Sequence, residues 1–148
     1  MNKRFLFLLS FLCVALFASA QEVDVKKMLE GIESVTSIEK IEKADTTRQY
    51  FLMKFTQQLD PKDASAGTFE QRIMLGHRGY DRPVVLVTEG YGADYAFNSP
   101  KYMEELTYIL DANIIFVEYR YFSGSMPNPC NWDYLTVENS MTDYHKII

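Results

Sequence analysis

Two short runs of unbroken apolar residues, Val84-Val85-Leu86-Val87 and Ile114-Ile115-Phe116-Val117, constrain this chain more than anything else in it. Four apolar residues in a row leave no polar side for water, so each run reads as a strand covered on both faces, the pattern of a parallel sheet. The residues between them predict the crossover that parallel strands require. Ser99 is a good N-cap and Pro100 suits a first helical position, and apolar residues at 102, 103, 106, 109 and 110 mark one face of a helix over 100–110. Strand, helix and strand in that order make a right-handed βαβ unit. Ligands of such sheets collect at the carboxyl ends of the strands.

Before this unit the pattern changes. Residues 49–57 alternate, with Tyr50, Leu52 and Lys54 set against Phe51, Met53 and Phe55, and residues 68–75 alternate again. Turn residues around Asp60-Pro61 and from Asp63 to Gly67 separate them, so they predict an antiparallel hairpin with about seven connecting residues. The fold class is therefore α/β, a mixed sheet in which a hairpin precedes the βαβ unit. Apolar residues at 25, 28, 29, 32 and 35 predict an amphipathic helix, and a charged stretch over 38–48 predicts a short strand or linker. At the other end Thr136 predicts the cap of a last helix, with Val137, Met141, Tyr144 and Ile148 as its apolar face and His145 packed beside it.

The first twenty residues are of another kind. Asn2-Lys3-Arg4, the apolar run from Phe5 to Phe17 and Ala18-Ser19-Ala20 form the basic, apolar and small-residue regions of a signal peptide. The apolar run is shorter than the ~20 residues a membrane span needs, and Cys13 follows the bulky Leu12 where lipid attachment needs a small residue. The expectation is export to the periplasm or beyond, with cleavage near Ala20 and no stable membrane anchor. Cys130 is then the one thiol left, and a single thiol makes no internal disulfide. The formal net charge of -5 and the lack of a basic cluster past Arg4 exclude nucleic acid as a partner class.

Two strand exits carry the residues that chemistry would use. Glu89-Gly90-Tyr91-Gly92 follows the first apolar run, and its amides can point into a cleft; glycines there permit close approach and positive φ. Gly90, Tyr91 and Gly92 are candidate oxyanion-hole donors, against an ordinary strand-to-helix turn. Glu118-Tyr119-Arg120-Tyr121 ends the second run. Glu118 and Arg120, two apart on an extended chain, project to one side and form a candidate structural pair. His77, alone in the loop over 76–82, has no Asp, Cys or second His at metal spacing, and nothing in the pattern asks for a metal or other cofactor.

Taken together, Phe69-Glu70-Gln71-Arg72, Thr88 to Gly92, Glu118 to Pro127 and Trp132 to Asn139 resemble the front part of the secreted serine tripeptidyl aminopeptidases, over about residues 67–148. Those enzymes are similar to prolyl carboxypeptidase and its relatives, whose Glu-His-Arg-Tyr-Tyr-Gly-x-Ser pattern appears here with Tyr119 for His and Ser123 inserted before Gly124. The resemblance implies an α/β-hydrolase fold with a Ser-Asp-His triad that removes short peptides from free amino termini. It makes Glu89 and Glu118 candidates for holding the substrate ammonium, by charge-assisted hydrogen bonds. It also divides the chain into a signal peptide (1–20), a helical and charged lead-in (21–48) and the amino-terminal part of a peptidase domain (49–148). No serine here has the strand-turn-helix setting of a nucleophile. The expectation is thus a peptidase cut short before its triad and inactive alone, with a separately encoded carboxyl-terminal half as one partner class. A secreted non-catalytic module that binds or inhibits peptides is the alternative. In the hydrolase strand order, Val84 to Val87 would be left as a bare edge.

Overall fold

The computed structural model describes residues 24–148; the expected signal peptide lies outside the described residues. The elements run α1 (Val25–Glu30), β1 (Val35–Ile41), β2 (Gln49–Asp60), β3 (Asp63–His77), β4 (Val84–Glu89), α2 (Ala93–Asn98), α3 (Glu105–Ile109), β5 (Asn113–Glu118) and α4 (Val137–Ile147). Five strands form one mixed sheet in the order β1-β2-β3-β5-β4. All neighbours are antiparallel except β4 and β5, which are parallel. Helices cover both faces, so the class is α/β.

Alternation in β2 and β3 sorts their side chains between two cores. Phe51, Met53, Phe55, Ile73 and Val117 meet Val25 of α1 and Tyr144 of α4 on one face. Tyr50, Met74, Ile114 and Phe116 meet Ala93, Ala96 and Phe97 of α2 on the other. The hairpin is longer than its alternation predicts. Pairing continues to Asp60 opposite Asp63, leaving Pro61 and Lys62 as the turn, because the Asp60 and Asp63 carboxylates bond the local amides of Lys62 and Ser65. Opposite the register shift near Leu59, Gly67 takes φ of 96°, which side chains disfavour.

Three expectations are corrected. The crossover is not one helix over 100–110. Helix α2 starts directly after Gly92, Ser99 closes it by donating its amide to the Tyr95 carbonyl, and Pro100 follows the helix end. Met103, Leu106, Ile109 and Leu110, expected inside, are exposed around the short α3. Second, β4 is less covered than its unbroken apolar run predicts: its first residue Val84 is exposed and Val85, Leu86 and Val87 are half-buried, and it lies at the edge of the sheet, where the hydrolase strand order puts it. Third, α4 is rotated from the expected face. Val137, Met141, Ile148 and His145 are exposed, while Asn139, Ser140, Asp143 and Tyr144 face the sheet. The inward face is polar because its partners are polar. Arg120 donates all five of its N–H groups, two to Asp143 (2.7 and 2.8 Å) and one each to the carbonyls of Gln58, Leu59 and Tyr134. The Thr136 cap forms as read, accepting from the Asn139 amide.

The lead-in's charges also turn inward. Lys43 Nζ donates to the carbonyls of Ala96, Phe97 and Ser99 at 2.7–2.8 Å, capping the end of α2 where the helix carbonyls have no partner of their own. Arg48 bonds Asp45 and the carbonyls of Thr107 and Ala112, tying the lead-in to the turn before β5. Burial pushes the Asp45 acid up, but bonds from Thr47, Arg48 and Tyr50 outweigh it and hold the group well below the usual 3.8. A depressed folded-state value means stabilisation that is complete above 3.8 and lost as pH falls further. Unfolding curves should therefore show stability dropping on acidification below that pH, and Asp45→Asn should flatten that limb. An unchanged slope in Asp45→Asn would remove Asp45 as its cause.

Candidate functional site

Parallel register places Glu89 directly opposite Glu118, so both strands end side by side. Glu118 is wholly buried, 0% exposed, and its charge is matched from a neighbouring strand. Arg72 of β3 grips it side-on, Nε to Oε2 at 2.8 Å and Nη2 to Oε1 at 2.5 Å. Ser125 Oγ donates to the same Oε2 at 2.6 Å and accepts the Arg72 amide at 2.9 Å. Arg72 Nη2 also reaches Asp94 at the start of α2 (2.6 Å), and Asp94 Oδ2 accepts from Ser123 at 2.7 Å. One guanidinium thus joins β3, β5, α2 and the turn after β5. The Phe97 ring lies against it, 5.0 Å from ring centroid to guanidinium carbon. Gly124 packs on the Arg72 side chain where a Cβ would collide.

The expected pair of Glu118 and Arg120 does not form. Strand β5 ends at Glu118, and the chain then turns through Tyr121 at φ of 69°, so the alternation that would have aligned them stops. Glu118 goes to Arg72, and Arg120 goes to Asp143. Tyr121 is held in that left-handed conformation by its hydroxyl on the Asn131 carbonyl and its ring beside Trp132.

The loop after β4 has a different logic from the one its glycines imply. Among the described residues Gly67 is the one glycine at positive φ; neither Gly90 nor Gly92 needs it. Gly90 instead lies under the Phe122 ring, three of whose carbons would stand 2.7–2.8 Å from an added Cβ. Gly90→Ala should cost about 1–3 kcal/mol by overpacking, read from urea unfolding. Adding Phe122→Leu should recover most of it, and a Gly90→Ala variant as stable as the parent would show the contact to be loose. Gly92 donates its amide to Glu89 Oε2 at 2.5 Å, so of the three oxyanion candidates Gly92 is already engaged. Tyr91 stands in solvent, its ring edge-on to Phe122. His77 ends β3 with its ring against Tyr80, and burial pushes its pKa down. No group of three or more metal-ligating side chains occurs among the described residues.

The electrostatics follow from this geometry. Glu89, Asp94 and Glu118 gather at the strand ends; Arg72 bonds Asp94 and Glu118 while Glu89 accepts the Gly92 amide, and three carboxylates against one guanidinium leave two negative charges in excess. Arg72's bond and that from Ser123 hold the Asp94 acid below its usual range, keeping it ionised. Asp94 and Arg72 were the residues sequence reasoning missed. Arg72 gave a faint signal, being a charged residue between the core residues Gln71 and Ile73; Asp94 gave none.

Residues 18–148 match the family described as PS-10 peptidase S37. The chain belongs to that family. The match begins well before residue 67, where the motif resemblance starts, and the peptidase S37 assignment covers nearly the whole chain. A prolyl tri/tetrapeptidyl aminopeptidase of Streptomyces mobaraensis is 33% identical over 129 residues, 87% of this chain and 26% of that protein. This peptidase S37 chain therefore spans about a quarter of the length of the curated relative it matches.

Proposed function

We propose that this chain forms the part of an exported α/β-hydrolase-type serine peptidase that recognises the free amino terminus of a peptide, the parent activity being release of tripeptides or other short peptides. The observation that carries it is the excess of carboxylate at the ends of β4 and β5. Arg72 is shared between the buried Glu118 and the exposed Asp94, and the part-buried Glu89 adds a third carboxylate; a peptide ammonium is a cation that two carboxylates hold by charge-assisted hydrogen bonds. Glu118 acts in this reading by positioning Arg72. The scissile carbonyl of a tripeptide lies three residues from an ammonium held at Glu89, so this reading places no oxyanion donor on Gly90 or Tyr91. The S37 family and a relative named as a tri/tetrapeptidyl aminopeptidase support the substrate class. In the hydrolase reading the edge of β4 takes a further strand, and co-purification from the source organism would reveal a separately encoded carboxyl-terminal half. Sequencing the amino terminus of the exported protein would test cleavage near Ala20.

One observation favours the non-catalytic module. Both Ser123 and Ser125 donate to carboxylates, and no serine is hydrogen-bonded to a histidine among the described residues. Calorimetric titration with Ala-Ala-Ala and its acetylated form tests the shared part. The free amine should bind, the acetylated peptide should not, and Glu89→Gln should weaken binding roughly ten- to a hundredfold, the worth of a hydrogen bond to a charged group. Equal binding of the acetylated peptide would sink amine recognition. Turnover of a tripeptidyl chromogenic substrate by this chain would decide for catalysis over the module.

A further inference from the structure

Tyr91 is 92% exposed, although it sits in a tight turn between a strand and a helix that are both packed on the sheet. Its ring is nevertheless held. Phe122 meets it edge-on at 4.9 Å, Tyr119 meets Phe122 at 5.9 Å, and Tyr144 meets Tyr119 at 6.3 Å, so a file of rings runs from the surface to the core. Gly90 is what lets Phe122 lie on the loop and reach Tyr91. A ring that is braced on one side while the rest of it stays in water presents apolar surface at little further entropic cost on binding. The neighbouring Phe97 ring is covered by the Arg72 guanidinium, so it offers no such surface.

The charges beside Tyr91 say what kind of group belongs there. Glu89 precedes it by two residues and Asp94 follows by three, and the strand ends carry two uncompensated negative charges. Apolar surface next to excess carboxylate is complementary to a group that is apolar and cationic at adjacent atoms. We propose that Tyr91, braced by Phe122, is a specificity platform for the side chain of the peptide's first residue, favouring ring-bearing or branched apolar side chains over glycine. This rests on the amine-recognition reading, in which Glu89 and Asp94 hold the ammonium on the same carbon.

The test uses the whole chain and three peptides, Phe-Ala-Ala, Gly-Ala-Ala and acetyl-Phe-Ala-Ala, titrated calorimetrically against the parent, Tyr91→Ala and Tyr91→Phe. Thermal melts of the variants check that an exposed position leaves the fold intact. The parent should prefer Phe-Ala-Ala to Gly-Ala-Ala. Tyr91→Ala should weaken Phe-Ala-Ala roughly three- to tenfold, the worth of one aromatic contact, and leave Gly-Ala-Ala unchanged, while Tyr91→Phe keeps the preference. Equal weakening of both free-amine peptides would overturn the proposal, since the ring would then be holding the ammonium. If the free amine is required and Tyr91→Ala discriminates nothing, the platform falls and the amine reading stands. If acetyl-Phe-Ala-Ala binds as well as Phe-Ala-Ala and Tyr91→Ala still weakens it, the amine reading falls and the platform stands. No binding of any peptide overturns both.

Discussion

Arg120→Met is expected to lower the unfolding free energy by about 3–5 kcal/mol, the cost of leaving one member of a buried ion pair without its partner. Asp143 is almost wholly buried on α4, and Arg120 supplies both of its close hydrogen bonds. The same guanidinium satisfies the carbonyls of Gln58, Leu59 and Tyr134, drawn from the hairpin and from the turn before α4. Its loss strands a charge and takes a donor from three carbonyls in the region that docks α4 on the sheet, of which that of Tyr134 keeps the Asn139 side-chain amide at 3.1 Å. Burial pushes the Asp143 acid up even with Arg120 present, so the unpaired group would have to take a proton or admit water. The double variant Arg120→Met/Asp143→Leu should regain part of the loss, because it removes the charge but does not restore the donors lost by the three carbonyls. Urea unfolding followed by circular dichroism measures both. A loss under about 1 kcal/mol in the single variant would place this pair with solvent-exposed bridges.

Arg72→Met is expected to be of similar size, about 3–5 kcal/mol, and to abolish amine-peptide binding as well. Glu118 loses two of the three bonds to its carboxylate and keeps the one from Ser125. Asp94 loses its bond from Arg72 Nη2 and keeps the one from Ser123, while Ser125 still accepts from the backbone amide of residue 72. Arg72→Lys should rescue little, since an ammonium cannot grip one carboxylate side-on and reach a second at the same time. Adding Glu118→Gln should recover part of the stability but not peptide binding. Stability near that of the parent in Arg72→Met would show that Glu118 does not depend on it. Lost stability with retained peptide affinity would separate the rim from recognition.

The contrast between Arg72 and Arg120 shows what the sequence could and could not convey. Strands were legible at β2, β3, β4 and β5 because alternation and unbroken apolar runs are local consequences of which side of a sheet is dry. The Thr136 cap was legible for the same reason, its bond reaching three residues along the chain. The ion pairs were not. Glu118 and Arg120 stand two apart, and an extended chain would join them, yet each finds its partner elsewhere, Arg72 being 46 residues and Asp143 being 23 residues away. Likewise the apolar spacing in α4 names Val137, Met141 and Ile148 as its inner face, but the helix turns toward Arg120 and Gln57 instead. Burying Asp143 with its partner outweighs burying those three side chains in this chain.

From its own letters the chain determined that it would be a mixed α/β sheet, that two strands would end at adjacent acidic and aromatic loops, and that those loops would belong to a peptidase-like pattern. These are properties of residues within a few positions of one another, where backbone geometry does the work. Only the tertiary structure decided which carboxylate is neutralised, which one faces outward, and which ring stays in water. Charge pairing and burial depend on distances across the sheet, set by register between strands and by the turn at Tyr121, which spacing along the chain does not contain.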